Sequence, residues 1–512
     1  MPPTPPVVID EVQSLCAECG EAVASEIIER GGKVYQRQKC PAHAVAESLI
    51  FSDAELYRKL DSWNRLVFPD DGAAAAHPGG GQASGHNGHH GSVNDPTLAV
   101  LDITNRCNFA CAMCFASITG DGDHYFLEPE LVRAMLQSLL DRPLPCRHVQ
   151  FSGGEPTLHP QFPRIVRIAR EMGFTHIQAA TNGSRFVSLE YARECAEAGL
   201  HTLYLQFDGM NDEVYGILRG RPLLKSKVTA VENVAQTGMR LVLVPTIVEG
   251  VNVDQLGPIF RFALEHSRHI TGISVQPAAR VGRIEVDGQG AETFNLATMA
   301  REFGLQTGLT RFPEDWFPLS AVSLIGRAVD GIRGEQSPTP VCDAHCSLGT
   351  YFYIDDDNRP HCVPQFFDVE RFFRSLADLG AAPRGGLLAR KISEMQEFGR
   401  LAECFDKSAA PAGLTFQRLL RGIEGWEDKS VGRSAGWHQR GFNGLFVAGM
   451  HFMDARSYNL RRLGRCIIQY VTTSGEVIPF CSYNAGARLR CSEESTRLGG
   501  TQESCPHVTT VR

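Results

Sequence analysis

No apolar run in this 512-residue sequence approaches the roughly 20 residues that span a bilayer. The opening stretch, MPPTPPVVIDEVQ, lacks the basic segment and apolar core of a secretory signal, so a cytoplasmic protein is expected. Positive charge is not in excess: 50 Lys and Arg stand against 58 Asp and Glu, a formal net charge of −8, and a polyanionic partner such as nucleic acid has no basis here. Also missing is the double CxxC spacing of zinc ribbons, which argues against a zinc-knuckle scaffold.

What the sequence does have is cysteine. Sixteen are present, and in a reducing compartment clustered thiols are more often metal ligands or catalytic groups than disulfides. They fall into four groups: Cys16, Cys19 and Cys40; Cys107, Cys111 and Cys114; Cys342, Cys346 and Cys362; Cys466, Cys481 and Cys491. Cys146, Cys195, Cys404 and Cys505 stand apart, and a lone cysteine is ordinarily a small buried hydrophobe.

The order of segments suggests four regions. Residues 1–70 read as a small metal module followed by a helix. Cys16 and Cys19 form a knuckle, a strand pair turns at Gly31-Gly32, and the segment ends at Cys40-Pro-Ala-His43. Residues 71–96 are rich in Gly, Ala and His and cannot bury enough apolar area to order themselves, so a linker is expected. From 97 to 310, six short apolar strands alternate with amphipathic helical segments. The strands are 98–104, 148–153, 176–182, 202–208, 241–248 and 270–277. Such alternation argues for parallel strands joined by helical crossovers. Six units are too few for an eight-fold barrel, so the expected fold is α/β, a partial (β/α)6 barrel with its chemistry at the C-terminal strand ends. Residues 311–512 carry the remaining cysteines and two similar stretches, 346–364 and 466–484. A hairpin in each is expected to bring its flanking cysteines to one end and so form a cluster cradle.

The stretch ITNRCNFACAMCF (103–115) follows the first barrel strand. Three thiolates cannot complete a structural zinc site, which takes four protein ligands. They can hold three irons of a [4Fe–4S] cluster and leave the fourth iron open. The next strand ends in Ser-Gly-Gly-Glu-Pro, where Gly153 and Gly154 would let the backbone approach a ligand and Glu155 could accept from an ammonium group.

Cys107-x3-Cys111-x2-Cys114 followed by Gly153-Gly154-Glu155-Pro156 resembles the radical S-adenosylmethionine superfamily. That resemblance implies a [4Fe–4S] cluster whose open iron chelates S-adenosylmethionine and whose electron releases a 5′-deoxyadenosyl radical. By position it implies that Phe115 flanks the nucleoside and Glu155 holds the methionyl ammonium. Asn182, Gln206 and Asp208 become candidates for the ribose and carboxylate. Arg219 either meets that carboxylate or is a solvated helix-end arginine. A flavodoxin- or ferredoxin-type electron donor is implied as well.

The N-terminal segment and the stretch 451–484 look like the tetraether lipid synthase group, which carries a rubredoxin-like iron module and auxiliary clusters. This implies carbon–carbon bond formation on lipid alkyl chains, and with it peripheral membrane contact. Relatives described as methylating a reduced pterin offer a small-molecule alternative, and peptide maturases with auxiliary clusters a third. The N-terminal set Cys16, Cys19, Cys40 and His43 would suit iron or zinc. Cys342, Cys346, Cys362, Cys466 and Cys481 supply five thiols for auxiliary [4Fe–4S] clusters, and spacing does not assign them.

Overall fold

The computed structural model describes residues 5–68, 95–117, 124–285, 294–333, 342–381, 399–424 and 443–485, together with positions 493 and 497. The Gly/Ala/His-rich linker at 72–94, Cys491 and Cys505 lie outside the described residues.

The chain opens with an antiparallel sheet in the order β1 (Val7–Leu15), β2 (Ala22–Arg30), β3 (Lys33–Lys39), β4 (Ala46–Phe51). The β2–β3 turn is Gly31-Gly32, with φ of +60° and +73°. A two-residue hairpin turn of this hand needs left-handed backbone, which glycine adopts without penalty. Helix α1 (Ala54–Val67) follows, its first turn capped by Asp53, which accepts from the Leu56 N–H at 2.9 Å.

The expected barrel strands are present. β5 (Leu98–Thr104), β7 (His148–Gly153), β8 (His176–Thr181), β9 (Thr202–Gln206), β10 (Arg240–Val244) and β12 (Ile270–Pro277) pair side by side in that order, all parallel. Between them run α2 (Pro129–Leu140), α3 (Phe162–Glu171), α4 (Leu189–Ala198), α5 (Asp212–Arg219), α6 (Leu224–Ala235) and α7 (Leu256–Glu265). Two short strands, β6 (Met113–Cys114) and β13 (Arg283–Ile284), pair antiparallel, and β11 (Thr246–Ile247) sits beside β12.

Alternation along the strands sorts their faces. Leu101, Phe151, Ala179, Leu203, Leu205, Leu241 and Leu243 are buried in the main core under the helices. Helix α3 meets them with Phe162, Ile165, Val166 and Ala169, spaced as one helical stripe. The opposite face of the sheet is concave. The Tyr204 hydroxyl on β9 lies 2.5 Å from the Ser274 hydroxyl on β12, across the intervening β10.

The C-terminal third extends both edges of this sheet. β16 (Asn443–Met450) adds in parallel beside β12, and β14 (Ser347–Ile354) and β15 (Pro360–Cys362) continue antiparallel. At the other edge β17 (Ile468–Val471) pairs in parallel with β5, followed by antiparallel β18 (Val477–Pro479). No helix among the described residues is long and apolar enough to cross a membrane.

Candidate functional site

The loop after β5 carries Cys107, Cys111 and Cys114, all half-buried. Burial pushes the Cys107 thiol up to about 12, and the charges of Glu155, Cys111 and Cys114 add to the rise. Burial raises Cys111 too, against the pull of the Arg219 guanidinium. Thiols in this state ionise against a metal rather than against water. Two bonds to its backbone and one to a side chain fix the loop. Arg219 Nη1 donates to the Met113 carbonyl at 2.8 Å, Arg283 Nε to the Cys111 carbonyl at 2.8 Å, and Asn182 Nδ2 to Asn108 Oδ1 at 2.8 Å.

Gly153 and Gly154 make close approach possible, and what they approach is this loop. Gly154 N donates to the Thr104 carbonyl and Glu155 N to the Arg106 carbonyl, both at 2.8 Å. A Cβ on Gly153 would lie 2.0 Å from the Thr104 oxygen, and one on Gly154 would lie 2.3 Å from the Arg106 oxygen. Gly282, which sequence reasoning passed over, does the same from the far side: a Cβ there would meet the Cys114 oxygen at 2.3 Å.

Glu155 is buried within a ring of donors. Its Oε1 accepts from Thr157 Oγ1 at 2.5 Å, Thr181 Oγ1 at 2.7 Å and Thr157 N at 3.2 Å; its Oε2 accepts from Asn182 N at 2.7 Å. Burial raises its proton affinity and these bonds oppose the rise. Oε2, with one of these bonds, keeps capacity for a further donor.

Asp208 and Arg219 are held by each other. Arg219 Nε and Nη2 reach Asp208 Oδ2 and Oδ1 at 2.7 and 2.9 Å, both groups are buried, and Thr246 N donates to Oδ1 at 3.0 Å. The bidentate face of Arg219 expected for a ligand carboxylate is therefore taken by Asp208, and the arginine is not a solvated helix end. Gln206 donates to Asp208 through Nε2 and accepts from Lys227 at 2.6 Å through Oε1.

Lys227 escaped sequence reasoning, because a lysine in the helical run LLKSKVTAVEN reads as solvent-facing. It is buried, and its ammonium also donates to the carbonyls of Asn182 and Gln206 at 2.7 Å each, tying together the ends of β8 and β9. Burial lowers its pKa to about 7.

Phe115 packs against Phe452 and Phe480, with ring centroids 5.2 and 5.3 Å away, and those two lie 4.9 Å from each other. Phe480 directly precedes Cys481, so this aromatic group bridges the first cysteine loop and a second thiol group.

That second group is Cys342, Cys346, Cys466 and Cys481. Each is buried enough to be raised, and the charges are mutual: Cys342 feels Cys346 and Cys466, Cys466 feels Cys481 and Cys346, and Cys481 feels Cys346. Burial is the largest cause throughout, and it carries Cys466 to about 12 and Cys481 to about 11. Arg462 Nη2 lies 3.4 Å from Cys346 Sγ, and Met453 N donates to Cys481 Sγ at 3.5 Å. Four thiols fit an additional iron–sulfur cluster.

Cys362 is not among them. In the β14–β15 hairpin it stands opposite Phe352, six residues along the strand from Cys346, and its sulfur lies 3.5 Å from Thr350 Oγ1. That hairpin does not bring its cysteines to one end. The β17–β18 hairpin does, because Gln469 stands opposite Pro479, with Cys466 and Cys481 just beyond.

The N-terminal module gathers Cys16, Cys19, Cys40 and His43, whose ligand atoms all lie within 4.8 Å of one another. Cys19 and Cys40 sulfurs are 3.9 Å apart, and His43 Nδ1 lies 3.6 Å from Cys16 and 3.3 Å from Cys40. A tetrahedral metal with sulfur at about 2.3 Å sets its ligand atoms about 3.3–3.8 Å apart, so three thiols and one imidazole fit a mononuclear site. Although burial raises the Cys16 thiol, hydrogen bonds from the Cys19 and Glu18 backbone and from the neighbouring thiols bring it down to about 7.

Residues 101–263 match the radical SAM superfamily, and residues 8–52 match the HMPTM N-terminal zinc ribbon domain. The ribbon's second pair reads Cys40-Pro-Ala-His43, which a search for two CxxC pairs overlooks. A [4Fe–4S] cluster and S-adenosylmethionine are accordingly the cofactors of the barrel, with a metal site in the ribbon. The 7,8-dihydro-6-hydroxymethylpterin dimethyltransferase of Methanocaldococcus jannaschii is 31% identical over 490 residues, covering 94% of each chain. The mycofactocin maturase MftC of Mycolicibacterium smegmatis is 26% identical over 373 residues, 68% of this chain and 90% of its own. Among solved structures, Streptococcus suis SuiB bound to S-adenosylmethionine aligns at 16% identity with a TM-score of 0.35, covering 41% of this chain and 46% of its own. This match along nearly the whole length is to a pterin enzyme and not specifically to a tetraether lipid synthase. The chain belongs to the radical S-adenosylmethionine superfamily, and within it to the family of that archaeal dimethyltransferase.

Proposed function

We propose that this enzyme methylates a flat, polar heterocycle of the reduced-pterin class. The observation that carries this reading is the polarity of the barrel's inner face. Gln150 and Gln178 face inward on β7 and β8 and are joined by a 2.5 Å hydrogen bond. On the next strands, Tyr204 of β9 bonds Ser274 of β12 at 2.5 Å and accepts from Gln276 at 3.4 Å. Amides and hydroxyls recognise the donor–acceptor edge of a heterocycle, and the rings of Phe452 and Phe480 suit its faces. Coupling of lipid alkyl chains calls for an apolar channel to the cysteine loop, and an inner face of amides and hydroxyls supports the pterin reading over it. The full-length likeness to a pterin dimethyltransferase supports the same choice.

In this reading Cys107, Cys111 and Cys114 hold the cluster. When bound there with S-adenosylmethionine, it supplies radical chemistry that begins with one-electron cleavage of the sulfonium. Glu155 receives the methionyl ammonium on Oε2, with Asn182 and Gln206 beside it and Phe115 against the nucleoside. Asp208, Arg219 and Lys227 are positioning residues. They hold the loop carbonyl of Met113 and the ends of β8 and β9 without touching the reacting atoms. A small flavoprotein or ferredoxin supplies the electron.

Anaerobic binding of 6-hydroxymethyl-7,8-dihydropterin to the reconstituted enzyme tests this. Q178L and Y204F are each expected to weaken binding about fivefold, the cost of about one hydrogen bond. Saturable binding of a long-chain lipid with none of the pterin would overturn the assignment.

A further inference from the structure

The N-terminal ribbon could be an independent appendage; its contacts say otherwise. One face of its sheet lies on the loop 454–462, and the bonds there are buried and specific. Ser14 Oγ and Gln36 Nε2 both donate to the Tyr458 carbonyl, at 2.6 and 2.7 Å. Gln38 Nε2 donates to the Ala455 carbonyl at 2.9 Å and to Ser14 Oγ at 2.9 Å. Ser14, Gln36 and Gln38 are each no more than 2% exposed. Asp10 pairs with Arg461 at the edge. Leu15, the neighbour of the metal ligand Cys16, packs against the cluster of Met453, Tyr458 and Leu463, as does Cys481.

The same loop serves the second thiol group. It continues into Arg462, whose guanidinium reaches Cys346 Sγ, and it is preceded by Met453, whose N–H reaches Cys481 Sγ. Helix α1 holds the other side: Asn64 Oδ1 accepts from Ala344 N at 2.8 Å, and Tyr57 stacks on His345 at 4.1 Å. A cavity of about 10 Å³, the room of one water, is enclosed by Gln36, Tyr57, His345, His451 and Arg462 from all three segments.

We infer that the ribbon is a structural part of the auxiliary cluster site, and that its bound metal keeps Ser14, Leu15, Gln36 and Gln38 in register to position the loop that presents Arg462 and the Met453 N–H to the cluster thiols. The metal closes Cys16–Cys19 onto Cys40–His43 at the end of β1 and β3, the strands that carry these four side chains. Losing it frees the strand ends, and with them the carbonyl acceptors at 455 and 458. Residues that orient ligands in this way cost about tenfold or more in metal retention when removed.

This rests on the reading that Cys342, Cys346, Cys466 and Cys481 hold an iron–sulfur cluster. The test therefore uses two backgrounds of the full chain, reconstituted anaerobically. With Cys107, Cys111 and Cys114 all replaced by Ala, cluster iron and its paramagnetic spectrum report the second site alone. With C466A/C481A they report the first site alone. In the first background C19S is expected to speed loss of cluster iron to a chelator about tenfold. Q38M, which leaves the four ribbon ligands in place but removes the bonds to Ala455, Ser14 and Leu15, is expected to do the same. In the second background neither variant changes iron retention. Equal loss from both backgrounds, or from neither, would overturn the inference. Absence of cluster iron in the first background before any ribbon substitution would instead overturn the assignment of the four thiols.

Discussion

Glu155 shows how a single residue can be spoken for and still be open. Three of its four hydrogen bonds converge on Oε1, which fixes the carboxylate and turns Oε2 toward a further donor. E155Q keeps the shape and loses the charge, so affinity for S-adenosylmethionine should fall about tenfold or more while cluster iron is unchanged. Equal affinity measured by calorimetry would remove Glu155 from the ligand. The Asp208–Arg219 pair carries a different expectation. R219M leaves a buried carboxylate without its counter-charge and should cost about 3–5 kcal/mol in chemical denaturation, whereas D208L/R219M should cost less than the two single changes combined. Lys227 adds a pH signature. Between about 7 in the folded chain and about 10.4 when unfolded, the unfolded state holds the proton that the folded state has lost. This group's contribution to stability therefore rises with pH across that window and is lost as pH falls through about 7. Melting temperatures at pH 7 and pH 9 should show the parent gaining on K227M as pH rises; a constant difference would contradict the shift.

At the scale of elements, the sequence patterns held where each strand was read locally. Apolar runs bounded by turns located all six barrel strands, and Gly31-Gly32 located the first hairpin. Failures came wherever register or long-range pairing decides the outcome. Nothing in the spacing around Asp356 says that Cys362 will pair opposite Phe352 rather than reach Cys346. Arg219 and Asp208 are eleven residues apart, and only the turn from β9 into α5 makes them partners. β16 has a legible apolar run, NGLFVAGM, but no local signal that it will add beside β12. These pairings make predictions. C362A should leave cluster iron unchanged, whereas C466A should remove the second cluster; iron loss in C362A would mean that the hairpin rearranges around the metal. G154A should remove the first cluster, because its Cβ would lie 2.3 Å from the Arg106 oxygen in the loop that carries the thiols.

At the scale of the molecule, one sheet unites the parts. The barrel strands supply the polar inner face, and the C-terminal strands extend both edges of the sheet. Helix-facing leucines and inward amides alternate along the same strands, so a single sequence pattern builds both the core and a site suited to a polar ligand. The central claim is methyl transfer to such a ligand. The most direct measurement supplies S-adenosylmethionine, dithionite and a small-molecule cell extract as the methyl source to the reconstituted enzyme, with 6-hydroxymethyl-7,8-dihydropterin in one reaction and a lipid extract in another, and reads products by mass spectrometry. A methylated pterin formed together with 5′-deoxyadenosine, both absent when Cys107, Cys111 and Cys114 are all replaced by Ala, is the predicted result. An unchanged pterin beside coupled or otherwise altered lipid chains would contradict it.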